Sequence, residues 1–288
     1  MFTEDINIRD PFVLPYDGKF YLYGTRGKHA FVGWENGFDV YVSEDLIHWS
    51  EAVEVFHKPK GFWSRKSYWA PEVHRYGDAF YMFATFANKK GGLGTAVLRA
   101  EHPLGPFTLW SDGYVTPKEW RCLDGTLYVS KSGKPYMIFC HEWRQIHDGT
   151  MCMIALREDL KESIGEPEIL FSASQAKPFV KEYFKRNYVT DGPFLLRTED
   201  DRLHMLWSTN GQNGYVEAVA HADGDEIRGR WTIDEQLLYD HDGGHGMIFQ
   251  DFQGQYYLVL HYPNTFCKEH PVFIPLQYKD GAWCPKES

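Results

Sequence analysis

The stretch Asp10-Pro11-Phe12-Val13, followed after a turn by Lys19-Phe20-Tyr21-Leu22-Tyr23, carries the pattern that sets the fold. A polar residue, a turn former and an apolar strand start lead into an aromatic-rich strand, and this unit returns four more times. Its later openings are Ala70-Pro71-Glu72-Val73, Asp124-Gly125-Thr126-Leu127, Asp191-Gly192-Pro193-Phe194 and His245-Gly246-Met247-Ile248, at intervals of 60, 54, 67 and 54 residues. The strands paired with them include Ala79-Phe80-Tyr81-Met82-Phe83, Leu203-His204-Met205-Leu206-Trp207 and Gln255-Tyr256-Tyr257-Leu258-Val259. A period of this length, with several short strands per unit, predicts a propeller blade: each sheet must stack on its neighbours to bury both faces. The reading is all-β, one domain over residues 1–288, a five-bladed β-propeller of four-stranded antiparallel blades around a central axis.

Third strands are expected at Phe38–Val42, Gly94–Leu98, Met151–Ala155 and Gly214–Ala220, each followed by a polar turn and an outer strand. The stretch from Val272 to Trp283 reads as one or two strands that would close the ring by pairing with the first blade, removing an open edge. Two longer segments, residues 56–69 and 171–189, precede axial strands and are expected over one mouth of the channel, where function concentrates on a rigid scaffold.

Composition narrows the function. The 288-residue chain has 17% aromatic residues and a formal net charge of −10, the opposite of the clustered basic charge that binds nucleic acid. No apolar run reaches the roughly 20 residues that span a bilayer, so no membrane partner is expected. Five cysteines, Cys122, Cys140, Cys152, Cys267 and Cys284, match no metal-binding spacing and read as reduced, mostly buried thiols. With no signal-peptide pattern in Met1–Asp5, a cytoplasmic location is expected, or a secreted or periplasmic one for a trimmed chain. Oligomeric state is left open.

An aspartate before Pro or Gly is usually a turn former. Here Asp10, Asp124 and Asp191 hold one repeat position in three of five units, and the fold would aim all three carboxylates at the axis. Burying carboxylates costs several kcal/mol unless they are paired or put to use. Glycosidic bond cleavage uses such a set: a protonated acid at the leaving oxygen, an ionised carboxylate near the anomeric carbon, and a third that keeps their pKa values apart.

The ordered motifs Arg9-Asp10-Pro11, Tyr68-Trp69-Ala70-Pro71-Glu72, Leu123-Asp124-Gly125-Thr126-Leu127, Asp191-Gly192-Pro193-Phe194 and Gly244-His245-Gly246 resemble glycoside hydrolase family 43 over essentially the whole chain. The resemblance implies a five-bladed propeller and inverting hydrolysis of α-L-arabinofuranosides or β-D-xylosides in plant-type glycans. It implies Asp10 as the general base and Asp124 as the residue that tunes and orients the acid. The family's fourth motif reads Glu-Gly-Pro; this chain has Asp191-Gly192-Pro193, one methylene shorter. Asp191 is therefore the first candidate for the acid, with Glu142 and Glu72 as alternatives. The histidine matching His245 often touches a hydrated calcium in the family, so a structural calcium near the axis is a further expectation. Substrate contacts are expected from Arg9, Arg26, Trp34, Trp69, His141, Trp143, Asn210 and His261, which flank axial strands. The long segments favour a partly closed, exo-acting site. Competing readings are a retaining fructan hydrolase, a mannoside phosphorylase and a carbohydrate-binding propeller without activity.

Overall fold

The computed structural model describes residues 1–32, 36–224 and 226–286. Twenty strands form five four-stranded antiparallel sheets. Blade 1 holds β1 (Ile8–Tyr16), β2 (Lys19–Arg26), β3 (Gly37–Ser43) and β4 (Val53–His57); blade 2 holds β5 (Ser64–Tyr76), β6 (Ala79–Asn88), β7 (Leu93–Ala100) and β8 (Thr108–Leu109). Blade 3 holds β9 (Cys122–Val129), β10 (Pro135–His141), β11 (Thr150–Leu156) and β12 (Ser163–Ser172), with the short helix α1 (Trp143–Ile146) after β10. Blade 4 holds β13 (Asp191–Arg197), β14 (Leu203–Gly211), β15 (Gly214–Ala222) and β16 (Trp231–Ile233), and blade 5 holds β17 (Gly244–Gln250), β18 (Tyr256–Tyr262), β19 (His270–Lys279) and β20 (Ala282–Pro285). Each repeat opening is the first strand of a sheet, as the pattern predicted, and all four expected third strands are in place.

Aromatic rings fill the wedges between blades. Phe38, Phe56, Tyr68 and Phe86 pack between blades 1 and 2, and Trp207 meets Phe171 and Phe179 between blades 3 and 4. Each such side chain contributes about 1.5–3 kcal/mol by leaving water. The C-terminal expectation is corrected: β19 and β20 pair within blade 5 and not with blade 1. Ring closure falls instead to side chains, with Asn7 Nδ2 donating to the Glu269 carbonyl at 2.8 Å and Arg9 Nη1 to Glu269 Oε1 at 2.6 Å. All five cysteines are free thiols; Cys122, Cys140 and Cys152 are buried and Cys267 is exposed.

Every first strand carries a β-bulge near its start. Pairing with the second strand breaks between Arg9 and Phe12, Trp69 and Glu72, Asp191 and Phe194, and Gly244 and Met247, with the matching break in blade 3 opposite Ile138–Cys140. The first bulge residue is left-handed in all five blades: φ is 53° at Asp10, 45° at Ala70, 55° at Asp124, 55° at Gly192 and 53° at His245. A bulge frees an amide from the ladder, and a buried amide needs a partner. That partner comes from the preceding blade. Thr25 Oγ1 accepts from Ala70 N–H and Thr85 Oγ1 from Asp124 N–H, both at 2.8 Å, Ser208 Oγ accepts from His245 N–H at 2.6 Å, and His261 Nδ1 accepts from Asp10 N–H at 3.3 Å. All four acceptors sit on second strands, directly opposite the residue before their own blade's bulge. Blade 3 has Cys140 there, and Gly192 N–H instead donates to Asp124 Oδ2 at 3.2 Å.

Replacing Thr85 by Val, which keeps the shape and removes the acceptor, strands the Asp124 amide in the interior. Urea unfolding should show a loss of about 1–3 kcal/mol, the cost of an unsatisfied buried donor; an unchanged midpoint would show that the ring of amide bonds carries no stability.

Candidate active site

The bulges turn the axial residues into one cavity. Asp10 and Asp124 occupy the same bulge position, are only 8% and 6% exposed, and flank the His245 ring. His245 Nδ1 lies 3.1 Å from Asp10 Oδ1 and 3.9 Å from Asp124 Oδ2. Asp10 Oδ2 also accepts from Thr25 Oγ1–H at 2.6 Å. Asp191 is offset from the expected register. It is the residue before the bulge, and Gly192 takes the bulge position. The reason is steric: a Cβ on Gly192 would stand 2.7 Å from His245 Cδ2, and its φ of 55° is a conformation that side chains rarely adopt. One residue earlier, Asp191 keeps an edge open to solvent and accepts from Tyr215 O–H through Oδ2 at 3.0 Å.

The three carboxyls do not share one charge state. Burial works against the charge of Asp10, but His245 and Arg9 outweigh it and hold its pKa below the usual carboxylate range. Burial, reinforced by Asp191 and Asp10 nearby, pushes Asp124 well up despite His245. Asp191 is raised by burial to about 6, against the pull of His245 and Tyr215. For His245, burial opposes the charge but Asp10, Asp124 and Asp191 raise its pKa overall. The cavity therefore pairs one ionised carboxylate with a carboxyl that keeps its proton into the neutral range, which is the division that acid–base chemistry needs.

Other expected residues divide by position. Arg9 sits before the first bulge, 4.0 Å from Asp10 through Nε, held by Glu269 and lying 5.1 Å over the Phe31 ring. Trp69, at the same place in blade 2, donates its indole N–H to the Ala30 carbonyl and meets Phe31 edge-on. His141 is stacked on Trp120 at 4.2 Å, beside Glu142, whose carboxylate is ion-paired to Arg121 at 2.7 Å and Arg144 at 3.7 Å. Glu72 lies past the bulge in β5 and is bonded to His74 at 3.1 Å. Trp143 opens α1 against Tyr183, and Asn210 is the last residue but one of β14, its carbonyl accepting from Lys181 N–H. Trp34 lies outside the described residues.

Two expected contacts are corrected. Arg26 is engaged by Asp39 and Glu54 and lines a cavity of about 510 Å³ beside blade 1 that includes none of the axial carboxylates. His261 is fully buried beneath Asp10, with a pKa lowered to about 3 by burial and Arg9. Its neutral ring accepts the Asp10 amide at Nδ1 and faces Asn264 Oδ1 with Nε2 at 3.2 Å, which makes it a support for Asp10. The hydrogen-bond partners of the bulges and of the residues beside them, Tyr215, Thr25, Ser208 and Glu269, were missed. A polar residue fifteen or sixteen positions after four of the five bulges, Thr25, Thr85, Ser208 and His261, was the available signal.

The calcium expectation meets a poor donor set. Calcium takes about 6–8 oxygen ligands, whereas His245 offers nitrogen and has its Nδ1 against Asp10. Among the described residues no group of three or more His, Cys, Asp or Glu side chains is arranged to hold a metal ion. These residues do not fit a protein-held calcium, and no step below runs through one.

The family model for glycosyl hydrolases family 43 matches residues 5–283. The chain belongs to family 43. The family is one of glycosyl hydrolases. A solved endo-arabinase from Bacteroides thetaiotaomicron is 35% identical, with a TM-score of 0.90 over 98% of both chains. A thermostable family-43 glycoside hydrolase shares the fold at 22% identity, with a TM-score of 0.83 over 100% of this chain and 96% of its own. A probable arabinan endo-1,5-alpha-L-arabinosidase B from Aspergillus fumigatus is 24% identical over 168 residues, covering 50% of this chain and 40% of that relative. The match thus spans less than half the length of that curated relative.

In this family-43 cavity, a raised carboxyl pKa is a cost to folding. Below the unfolded value of 3.8 Asp191 is protonated in both states; as pH rises through about 6 the folded state holds a proton the unfolded state has lost, so stability falls. Asp191→Asn should therefore unfold about 1–3 kcal/mol later than wild type above pH 7, with the difference shrinking to nothing below pH 4. Urea titrations of both proteins across pH 3.5–8 check this, and equal stability throughout would show that Asp191 is not strained.

Proposed function

We propose that this family-43 hydrolase cleaves arabinan with inversion, using Asp10 as general base and Asp191 as general acid. The observation that carries the reading is the opposite displacement of two carboxyls in one cavity: Asp10 held ionised by His245 and Arg9, Asp191 held protonated by burial. A water beside Asp10 gives it a proton while its oxygen bonds to the anomeric carbon from the face opposite the leaving group. The glycosidic C–O bond breaks, and the proton that Asp191 holds at pH up to about 6 goes to the departing oxygen. Asp124, tied through Oδ2 to the Gly192 amide, holds the backbone next to Asp191, and Asp10 nearby adds to the reluctance of Asp191 to ionise. The shorter side chain of aspartate is offset by its place: before the bulge, with Oδ2 bonded to Tyr215 and an edge toward the mouth.

The substrate reading leans on the mouth. Phe31 and Phe266 are 59% and 42% exposed and cluster with Trp69 on blades 1, 2 and 5. Across the axis, Tyr183 and Phe184 are 47% and 70% exposed beside Trp143, at the junction of blades 3 and 4. Sugar rings stack on such exposed aromatic faces, and two sets on opposite sides suit a chain lying over the cavity. This favours internal cleavage over the exo action expected from loop length, and it agrees with the name of the 35%-identical endo-arabinase.

The acid and base assignments separate kinetically. Asp10→Asn should lower kcat on every substrate by about 10²–10⁴-fold, the range for a lost general base. Asp191→Ala should lose as much on linear arabinan but little on an aryl arabinofuranoside with a nitrophenolate leaving group, which departs without a proton. If Glu142→Gln shows that leaving-group dependence and Asp191→Ala does not, the acid is Glu142. Proton NMR of the first-formed sugar should show the inverted anomer.

A further inference from the structure

A buried carboxyl outside the acid–base set lies directly behind His245. Glu217, on β15, is fully buried. Its Oε2 accepts from Gly246 N–H at 3.0 Å and from Ser208 Oγ–H at 2.6 Å, and Ser208 Oγ in turn accepts from His245 N–H at 2.6 Å. Both amides released by the fifth bulge thus end on the Ser208–Glu217 pair, which faces across β14 and β15. Oε1 has no hydrogen-bond partner.

Blade 2 performs the same task with less. There the cross-strand pair is Thr85 and Thr95, whose hydroxyls take the two bulge amides of blade 3, Asp124 N–H at 2.8 Å and Gly125 N–H at 3.1 Å. A hydroxyl is sufficient to satisfy the second amide. At the blade 4–5 junction the chain spends a buried carboxyl instead, which costs several kcal/mol more to desolvate than a hydroxyl. The bulge it serves is the one that carries an imidazole. The charged and titratable groups facing that ring are Asp10, Asp124, Asp191 and Glu72, with Arg9 and His261 reaching it through Asp10. Glu217 approaches from the backbone side, where none of these lies.

We propose that Glu217 is a positioning residue for His245: it clamps the two bulge amides so that the ring stands between Asp10 and Asp124. The inference rests on the assignment of Asp10 as the base, and is tested by a measurement that does not need activity. Two variants separate the clamp from the charge: Glu217→Leu removes the acceptor for Gly246 N–H, and Glu217→Gln keeps it. Histidine side-chain NMR, with His245 assigned by loss of its signal in His245→Gln, gives the ring's titration midpoint in each protein. The midpoint should move to lower pH by half a unit or more in Glu217→Leu, as the ring leaves Asp10 and Asp124, and stay near wild type in Glu217→Gln. With arabinan, kcat should fall 5- to 50-fold in Glu217→Leu while KM stays within threefold. An unchanged midpoint in folded Glu217→Leu, or an equal fall in Glu217→Gln, overturns the proposal and leaves Glu217 a structural hydrogen-bond acceptor. A shifted midpoint with no activity in wild type sustains the clamp and removes the catalytic assignment instead.

Discussion

The whole arrangement depends on a backbone amide that has nowhere to go within its own sheet. Each first strand bulges at the axis, and each bulge exposes an N–H that the ladder cannot use. Burial leaves it no water, so a neighbouring blade must supply an acceptor. Four blades supply a side chain from the same place on the second strand, and the circle so made locks every blade to the next at the axis. At the fourth bulge Cys140 occupies that place and a thiol is a weak acceptor. The amide there goes to a carboxylate, which ties Asp124 to the backbone beside Asp191. Structural closure and the electrostatics of the cavity are the same set of bonds.

This explains how a left-handed backbone survives at non-glycine residues. A left-handed conformation costs an aspartate, an alanine or a histidine of order 1–3 kcal/mol. In return it swings Asp10, Asp124 and His245 off the sheet face and toward the axis, and the amide bonds hold them there. Only the fourth bulge carries glycine, since the His245 ring occupies the space a side chain would need. The carboxyl of the fourth blade accordingly comes from the preceding position. It is more exposed than Asp10 and Asp124, which suits the acid role proposed for it.

Much of this was legible in the sequence, and the rest was hidden for identifiable reasons. The period, the aromatic second strands and the aspartates before Pro or Gly fixed the blades and named Asp10, Asp124, Asp191 and His245. Register was not legible to the residue: Asp191-Gly192-Pro193 looks like Asp10-Pro11-Phe12, and only strand pairing reveals that Gly192 takes the place of Asp10. Arg26 follows an axial hairpin as Arg9 precedes one, yet Asp39 and Glu54, on the two outer strands of its own blade, draw it outward. His261 was read as a pocket residue because sequence shows neither burial nor that its partner is an amide 251 positions away. Thr25, Thr85 and Ser208 are ordinary strand residues until their neighbours across the blade boundary are known.

The route of the chain around the circle leaves one seam unlike the others. Every blade is laid down from the axis outward, so blade 5 finishes with its own outer strand and lends none to blade 1. Among the described residues no backbone ladder spans the joint between first and last blades. Its polar fasteners are Asn7 and Arg9 on Glu269 and the Asp10 amide on His261, all at the catalytic end. The latch of the ring is therefore also the mount of Asp10, the carboxylate proposed to activate water, and any loosening of the joint is felt first at the axial cavity, before the distant blades have moved.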